Sequence, residues 1–122
     1  FWGRSQMTIM SLKIFTRFAN EVIEALPRDL FKHLNGGIVV EPSAKEEGEF
    51  FILGEYIEDP GMGKIIILYY GSFRETLGDV SVGEWKEEIE DTIVHELRHH
   101  IESLAGVDDL SLEEEEEPEE DP

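Results

Sequence analysis

The chain has 122 residues, no cysteine and a formal net charge of −19. This length suits one domain with one modest core. The absence of cysteine excludes disulfides, thiolate metal sites and thiol catalysis, so any metal ion would be held by His, Asp or Glu. The excess of acidic residues argues against binding to nucleic acids or anionic membranes, because both present phosphate groups.

The two ends of the chain differ in composition from the middle. Eight of the 29 acids lie between residues 113 and 121, although the other 21 still outnumber the ten Lys and Arg. Residues 111–122 cannot bury enough apolar surface to order themselves, and we expect a disordered acidic tail. Residues 1–9 show no periodicity, and we expect an expression remnant or a flexible extension. A single domain is therefore predicted for residues 10–110, and the lack of a spanning or secretory segment predicts a cytoplasmic protein.

The first predicted element is an amphipathic helix that begins after Ser11. Apolar residues recur every four positions along one face, and Pro27 ends the pattern. The Ser11 hydroxyl is a suitable N-cap, because it can accept a hydrogen bond from a free amide of the first turn. The following segment, "RDLFKHLNGG", predicts a short helical turn that ends at Asn35 and Gly36.

The middle of the chain predicts a small sheet. "GIVVEP" reads as a short strand, and "EFFILGEYI" and "GKIIILYYGSF" form an antiparallel hairpin around the turn "EDPGMG". Three strands packed on helices give an α+β fold. We expect an edge strand at residues 65–70 that could bind an extended peptide. Of the adjacent Tyr69 and Tyr70, one should face the core, and the other could donate a hydrogen bond to an oxyanion.

The last predicted helix runs from Trp85 to Leu104 and ends near Gly106. Ser81 and Glu84 form a capping-box pattern before it. The predicted core stripe steps by four residues along this helix. Its members are Trp85, Ile89, Ile93, Leu97 and Ile101.

The hexapeptide "HELRHH" at residues 95–100 carries the strongest chemical signal. His95 and His99 are one turn apart on a face away from the core stripe, so their imidazoles can reach one Zn²⁺ ion. Glu96 lies beside them, where a carboxylate can act as a general base on zinc-activated water. We expect His100 to point away from this pair and to pack at the rim of the core.

Four separated motifs resemble the small bacterial zincin-like metallopeptidases. They are "LNGGIVVEP", "ILGEY", "DPGMGKIIILYYGSF" and "HELRHHIESLAGVDDL", and the resemblance extends from about Met10 to Leu112. It implies a minimal zincin fold, in which a small, mainly antiparallel sheet packs on an N-terminal helix and on the helix that carries HExxH. It also implies one zinc ion per chain and a peptide or protein substrate.

The resemblance also suggests a third metal ligand. Members of the family more often read H-E-x-x-H-H-F-G-x-x-D, and the aspartate completes the metal site. Here four extra residues precede the corresponding glycine, Gly106, and the match makes Asp109 the aspartate. Glu102 on the histidine face and Asp108 beside Asp109 are the alternatives.

Two main functions therefore remain open at this point, beside a less favoured third, an acidic interaction protein whose function lies in its tail. The first is a zinc-dependent peptidase, in which His95, His99 and Asp109 bind the metal ion and Glu96 is the general base. The second is an inactive zincin-like protein that uses a divalent metal for structure, or a binding module. A small domain with a thin core gains stability from a structural metal, whereas a carboxylate at position 96 serves no purpose in a purely structural site.

Overall fold

The computed structural model describes residues 9–108. The predicted acidic tail, and the predicted N-terminal extension apart from Ile9, lie outside these residues. The elements in chain order are α1 (Leu12–Ala25), a 3₁₀ turn (Arg28–Phe31), β1 (Gly37–Glu41), β2 (Glu46–Glu47), β3 (Phe50–Phe51), β4 (Gly54–Asp59), β5 (Gly63–Tyr69), α2 (Tyr70–Leu77) and α3 (Val82–Asp108). Within the described part of the chain, no helix is both long enough and apolar enough to cross a membrane.

The main sheet has three strands in the order β1-β5-β4. β5 pairs with β4 antiparallel and with β1 parallel, whereas β2 and β3 form a separate small antiparallel pair. The predicted α+β fold and the predicted β4–β5 hairpin are confirmed. The expected edge strand at residues 65–70 is wrong, because β5 is the central strand and its side chains Ile65, Ile66 and Leu68 are buried. The free edges belong to β1 and β4.

The side chain of Asp59 stabilises the turn between β4 and β5. Asp59 Oδ2 accepts hydrogen bonds from the amides of Gly61 and Met62 at 2.8 and 2.7 Å. Gly63 then adopts a φ of +83°, a conformation that is cheap for glycine. The sequence "EDPGMG" therefore forms the turn that its composition predicts. The segment "YGSF", in contrast, belongs to α2 and does not extend the strand.

The core lies between the sheet and the helices. Helix α1 begins as predicted, because the Ser11 hydroxyl accepts from the amide of Ile14 at 3.2 Å. It buries Phe15 against Phe73 of α2, with ring centroids 4.9 Å apart, and edge-on against Trp85 of α3, at 6.2 Å. This aromatic contact joins all three helices over the buried face of the sheet.

Helix α3 begins with the predicted capping box and ends later than predicted. The Ser81 amide donates to Glu84 Oε1 at 3.2 Å, and the Glu84 amide donates to Ser81 Oγ at 3.2 Å. The helix then continues through Gly106 to Asp108, so Gly106 does not end it. A glycine inside a helix costs about 1 kcal/mol relative to alanine, which is too little to stop a long, well-packed helix.

The buried side chains of α3 recur with the helical period of about 3.6 residues and not with the four-residue spacing of the predicted stripe. Four members of the predicted stripe are buried, but Ile101 is 40% exposed. Each step of four residues rotates the side chain by about 40°, so the fifth member has turned away from the core. His100 lies seven residues after Ile93, on the same face, and is fully buried instead.

Candidate metal and catalytic site

The two histidines of the motif lie together on the exposed side of α3. Their Nε2 atoms are 3.1 Å apart, and their rings are nearly perpendicular, with an interplanar angle of 88°. Two nitrogen ligands of one tetrahedral Zn²⁺ ion, each about 2.0 to 2.1 Å from the metal, lie about 3.3 Å apart. The donor chemistry and the spacing of His95 and His99 therefore fit two positions of a zinc site.

The third ligand is not found among the described residues. Within residues 9–108, no group of three or more His, Asp or Glu is arranged to hold one metal ion. Glu102 Oε1 lies 3.9 Å from Nδ1 of His99, on the side of the ring away from His95. This distance suits a weak ion pair and is too long for a hydrogen bond. Asp109 lies outside the described residues, and so does the side chain of Asp108.

Glu96 differs from the histidines in being buried. Its side chain is 7% exposed, and within residues 9–108 no hydrogen bond or ion pair reaches its carboxylate. Burial raises the pKa of the Glu96 carboxyl above its usual value, nearby His95 and His99 oppose this shift, and the Glu55 carboxylate adds to it. A buried carboxyl group without a protein partner is available to a ligand or to water.

Glu96 and His95 line an open cleft with a volume of about 390 Å³. The other lining residues are Leu53, which precedes β4, Gly54, which begins it, and Asp91 and Thr92 from α3. Because Gly54 has no side chain, β4 can lie close to α3 on this side of the cleft. A Cβ atom added to it would lie 2.7 Å from Thr92 Cγ2 and 3.3 Å from Glu96 Cγ. A glycine is therefore required for β4 to approach the helix this closely.

Strand β4 runs along α3 in the same direction. Alternate residues of the strand face the helix, and each contacts a point about one helical turn further on. Gly54 faces Thr92 and Glu96, the Tyr56 hydroxyl lies 3.0 Å from His100 Nδ1, and Glu58 accepts a hydrogen bond from Ser103. Two residues of a strand span about 6.6 Å along its axis, and four residues of a helix span about 6 Å. Every second residue of β4 therefore meets the next turn of α3.

His100 connects three elements. Its Nε2 donates to the backbone carbonyl of Lys32 at 2.8 Å, because a carbonyl oxygen can only accept. Its Nδ1 faces the Tyr56 hydroxyl, which also lies 3.0 Å from Glu58 Oε2. His100 packs as expected but inside the core and not at its rim, because its side chain is fully buried. Its contacts hold β4 beside the helix that carries His95 and His99.

The two adjacent tyrosines have different environments, although not through strand alternation, because Tyr69 ends β5 and Tyr70 begins α2. The Tyr70 hydroxyl donates to the carbonyl of Met10 at 2.6 Å inside the core. Tyr69 donates to Glu55 Oε1 at 2.8 Å, and Lys45 Nζ donates to the same oxygen at 2.7 Å. The hydrogen bond from Lys45 holds the pKa of the Glu55 carboxyl below its usual value. Neither tyrosine lines the cleft.

Sequence reasoning missed three residues that shape this site. Gly54, Tyr56 and Thr92 carry no motif of their own. Thr92 could have been found, because it lies seven residues after buried Trp85 and so shares its face of the helix. Gly54 and Tyr56 could not, because the approach of β4 to α3 is a tertiary contact.

The comparisons with known proteins show the family and the fold. The sequence model of the zincin-like metallopeptidase family matches residues 42–118. A solved structure, a conserved hypothetical protein from T. thermophilus, superimposes with a TM-score of 0.68 at 36% sequence identity, covering 79% of this chain and 98% of that protein. No curated protein sequence matches the chain. The chain belongs to the family of zincin-like metallopeptidases.

Proposed function

We propose that the protein is a zinc-dependent peptidase. The observation that carries this proposal is the convergence of His95 Nε2 and His99 Nε2, 3.1 Å apart, beside a cleft lined by His95 and Glu96. The Glu96 carboxylate is buried and has no hydrogen-bond partner within residues 9–108. A purely structural metal site has no use for such a carboxylate. Asp109, by the family resemblance, is the third ligand.

The roles of the side chains follow from their positions. His95 and His99 bind the zinc ion through Nε2, which requires both rings to be neutral with the proton on Nδ1. Zinc bound there supplies Lewis acidity, which polarises a carbonyl group and makes water a stronger acid. The Glu96 carboxylate accepts a proton from the attacking water and returns it to the leaving amine. Its burial excludes bulk water from that transfer.

The outer edge of β4 aligns the substrate. The Tyr69 amide donates to the Leu53 carbonyl, so residues 53, 55, 57 and 59 point their backbone groups toward β5. The amides and carbonyls of Gly54, Tyr56 and Glu58 therefore point the other way. No strand within the described residues pairs with this edge. An extended peptide that adds to it as a further strand passes beside His95 and Glu96 at the Gly54 end.

Metal content and hydrolysis, measured on the same variants, test the proposal. Native protein purified without chelator is expected to contain about one zinc per chain by mass spectrometry. His99→Ala should lose the zinc, whereas His33→Asn, a histidine change outside the site, should keep it. Asp109→Ala and Glu102→Gln identify the third ligand, and we expect loss of zinc from the former.

Glu96→Gln separates catalysis from metal binding. We expect this variant to keep its zinc and to lose hydrolysis of a fluorogenic peptide library by a factor of about 10² to 10⁴. Loss of zinc from Glu96→Gln would make Glu96 a ligand and contradict its assigned role. Zinc in the native protein without hydrolysis of any peptide would favour the alternative, a zincin-like protein that uses the metal for structure or binding.

A further inference from the structure

Acidic residues predominate on the two elements that form the walls of the cleft. Strand β4 forms one wall, where its first residue, Gly54, lines the cleft. Further along the strand lie three acids, Glu55, Glu58 and Asp59, and no cation. Lys45 pairs with Glu55 at 2.7 Å, and Lys64 lies 3.7 Å from Glu58, so this wall is only partly neutralised.

Helix α3 forms the other wall and continues the negative charge. At 100° per residue, Glu88 and Asp91 precede His95 on the same side of the helix, and Glu102 follows His99. Asp91 is exposed and lines the cleft itself. Among the described residues, no Lys or Arg forms an ion pair with Glu88 or Asp91. Lys86, the cation of this helix closest to them in sequence, lies 3.8 Å from Glu21 of α1. Arg98 lines a separate apolar pocket with Glu102.

The floor of the cleft has polar groups that lack partners. Glu96 is 7% exposed and Thr92 is 8% exposed, and both line the cleft. Within residues 9–108, neither side chain has a hydrogen-bond partner. Leaving a buried polar group unpaired costs about 1 to 3 kcal/mol, and more for a charged group. These groups indicate a cleft that is completed by a ligand and not by any group within residues 9–108.

We propose that this cleft selects extended peptides that carry lysine or arginine. The inference rests on the proposed function, because it assumes that a peptide adds to the outer edge of β4. Side chains of such a peptide alternate between two sides. One set lies beside Glu55 and Asp59, and the other faces α3 near Asp91. Negative charge on both sides favours cations in both sets and repels acidic peptides.

Peptide binding to metal-free protein tests this inference without requiring hydrolysis. The probes are three peptides of about nine residues with blocked ends and a neutral dye, in which every second residue is Lys, Gln or Glu and the others are Ala and Thr. Fluorescence anisotropy is measured at about 50 and about 300 mM salt. We expect the Lys peptide to bind about tenfold more tightly than the Gln peptide at low salt, and this preference to shrink at high salt.

Matched variants separate the cleft from the overall charge of the protein. Glu88→Gln with Asp91→Asn should weaken binding of the Lys peptide about fivefold and leave the Gln peptide unchanged. Glu24→Gln with Glu75→Gln removes the same charge from α1 and α2, which form neither wall, and should change binding less than twofold. Circular dichroism confirms that each variant is folded.

The outcomes are distinct. Equal binding of the three peptides, or equal weakening by both pairs of substitutions, would overturn the inference and leave the peptidase proposal intact. A preference for the Lys peptide that only the cleft variants weaken supports the inference. If the zinc-loaded protein then cleaves no peptide, the peptidase proposal fails and the cationic-peptide cleft remains.

Discussion

The Tyr56 hydroxyl and Nδ1 of His100 lie 3.0 Å apart, across the contact between β4 and α3. Because His100 is fully buried and its other ring nitrogen is bonded to the Lys32 carbonyl, this contact fixes the edge strand relative to the helix that carries the two candidate metal ligands. The position of the cleft thus depends on a hydrogen bond remote from the candidate chemistry.

Tyr56→Phe tests the energetic value of this contact. The substitution keeps the ring, which packs on His100 at a centroid distance of 5.3 Å, and removes only the hydroxyl. We expect the free energy of unfolding to fall by about 1 kcal/mol, because the contacts of the hydroxyl with His100 and with Glu58 are lost and His100 Nδ1 is left unpaired. Urea denaturation measures this change in the free energy of unfolding. An unchanged midpoint would mean that the hydroxyl contributes nothing to holding β4.

Gly54→Ala tests the close approach of β4 to α3. The new methyl group would lie 2.7 Å from Thr92 Cγ2, so the strand or the helix must shift. We expect a loss of about 1 to 3 kcal/mol in unfolding free energy, as for other overpacked sites. Thr92→Ser deletes the opposing methyl group and should restore part of this loss when combined with Gly54→Ala. Additive effects of the two substitutions would contradict the contact.

Gly106→Ala tests where α3 ends. In the structure a Cβ atom at this position meets nothing within 4 Å, and the residue is helical. Alanine should therefore stabilise the protein by about 0.5 to 1 kcal/mol, because glycine is the weaker helix former. If the helix instead ended near Gly106, as the sequence predicted, and Gly106 adopted a positive φ, alanine would destabilise the protein. Thermal unfolding with circular dichroism distinguishes the two outcomes.

The ion pair between Lys45 and Glu55 predicts a pH dependence. The pKa of Glu55 is lowered, chiefly by the hydrogen bond from Lys45, so its stabilising contribution is present above the unfolded-state value near 4.5. That contribution is lost as the pH falls through the lower folded-state pKa. Glu55→Gln should therefore be less stable than native protein at pH 7, by no more than about 1 kcal/mol for a partly exposed pair.

The difference in unfolding free energy between the native protein and Glu55→Gln should disappear in acid. Unfolding by urea at neutral pH and at pH values below about 4 compares them directly. Lys45→Met is a matched variant that removes the partner and retains the apolar stem, and the same convergence is expected for it. A difference that stays constant with pH would show that Glu55 acts through packing and not through its charge.

Local patterns determined the elements and the chemical identity of the site. The hydroxyl of Ser11 and the pair Ser81 and Glu84 cap helices because the free amides lie within a few residues. His95 and His99 lie on one helical face because four residues make about one turn. These interactions are set by spacing along the chain, so they can be read without knowledge of the fold.

The tertiary structure decided which strand meets the helix and which histidine is buried. β5 is the central strand and β4 an edge strand because β5 also pairs with β1. This pairing joins residues that are far apart in sequence. Gly54 reaches Thr92 and Glu96, and His100 reaches Lys32 and Tyr56, only through that arrangement. The sequence by itself determined that the candidate ligands His95 and His99 share one helical face with Glu96 beside them. Packing between distant segments decided the cleft around them, because no local spacing specifies which surfaces come into contact.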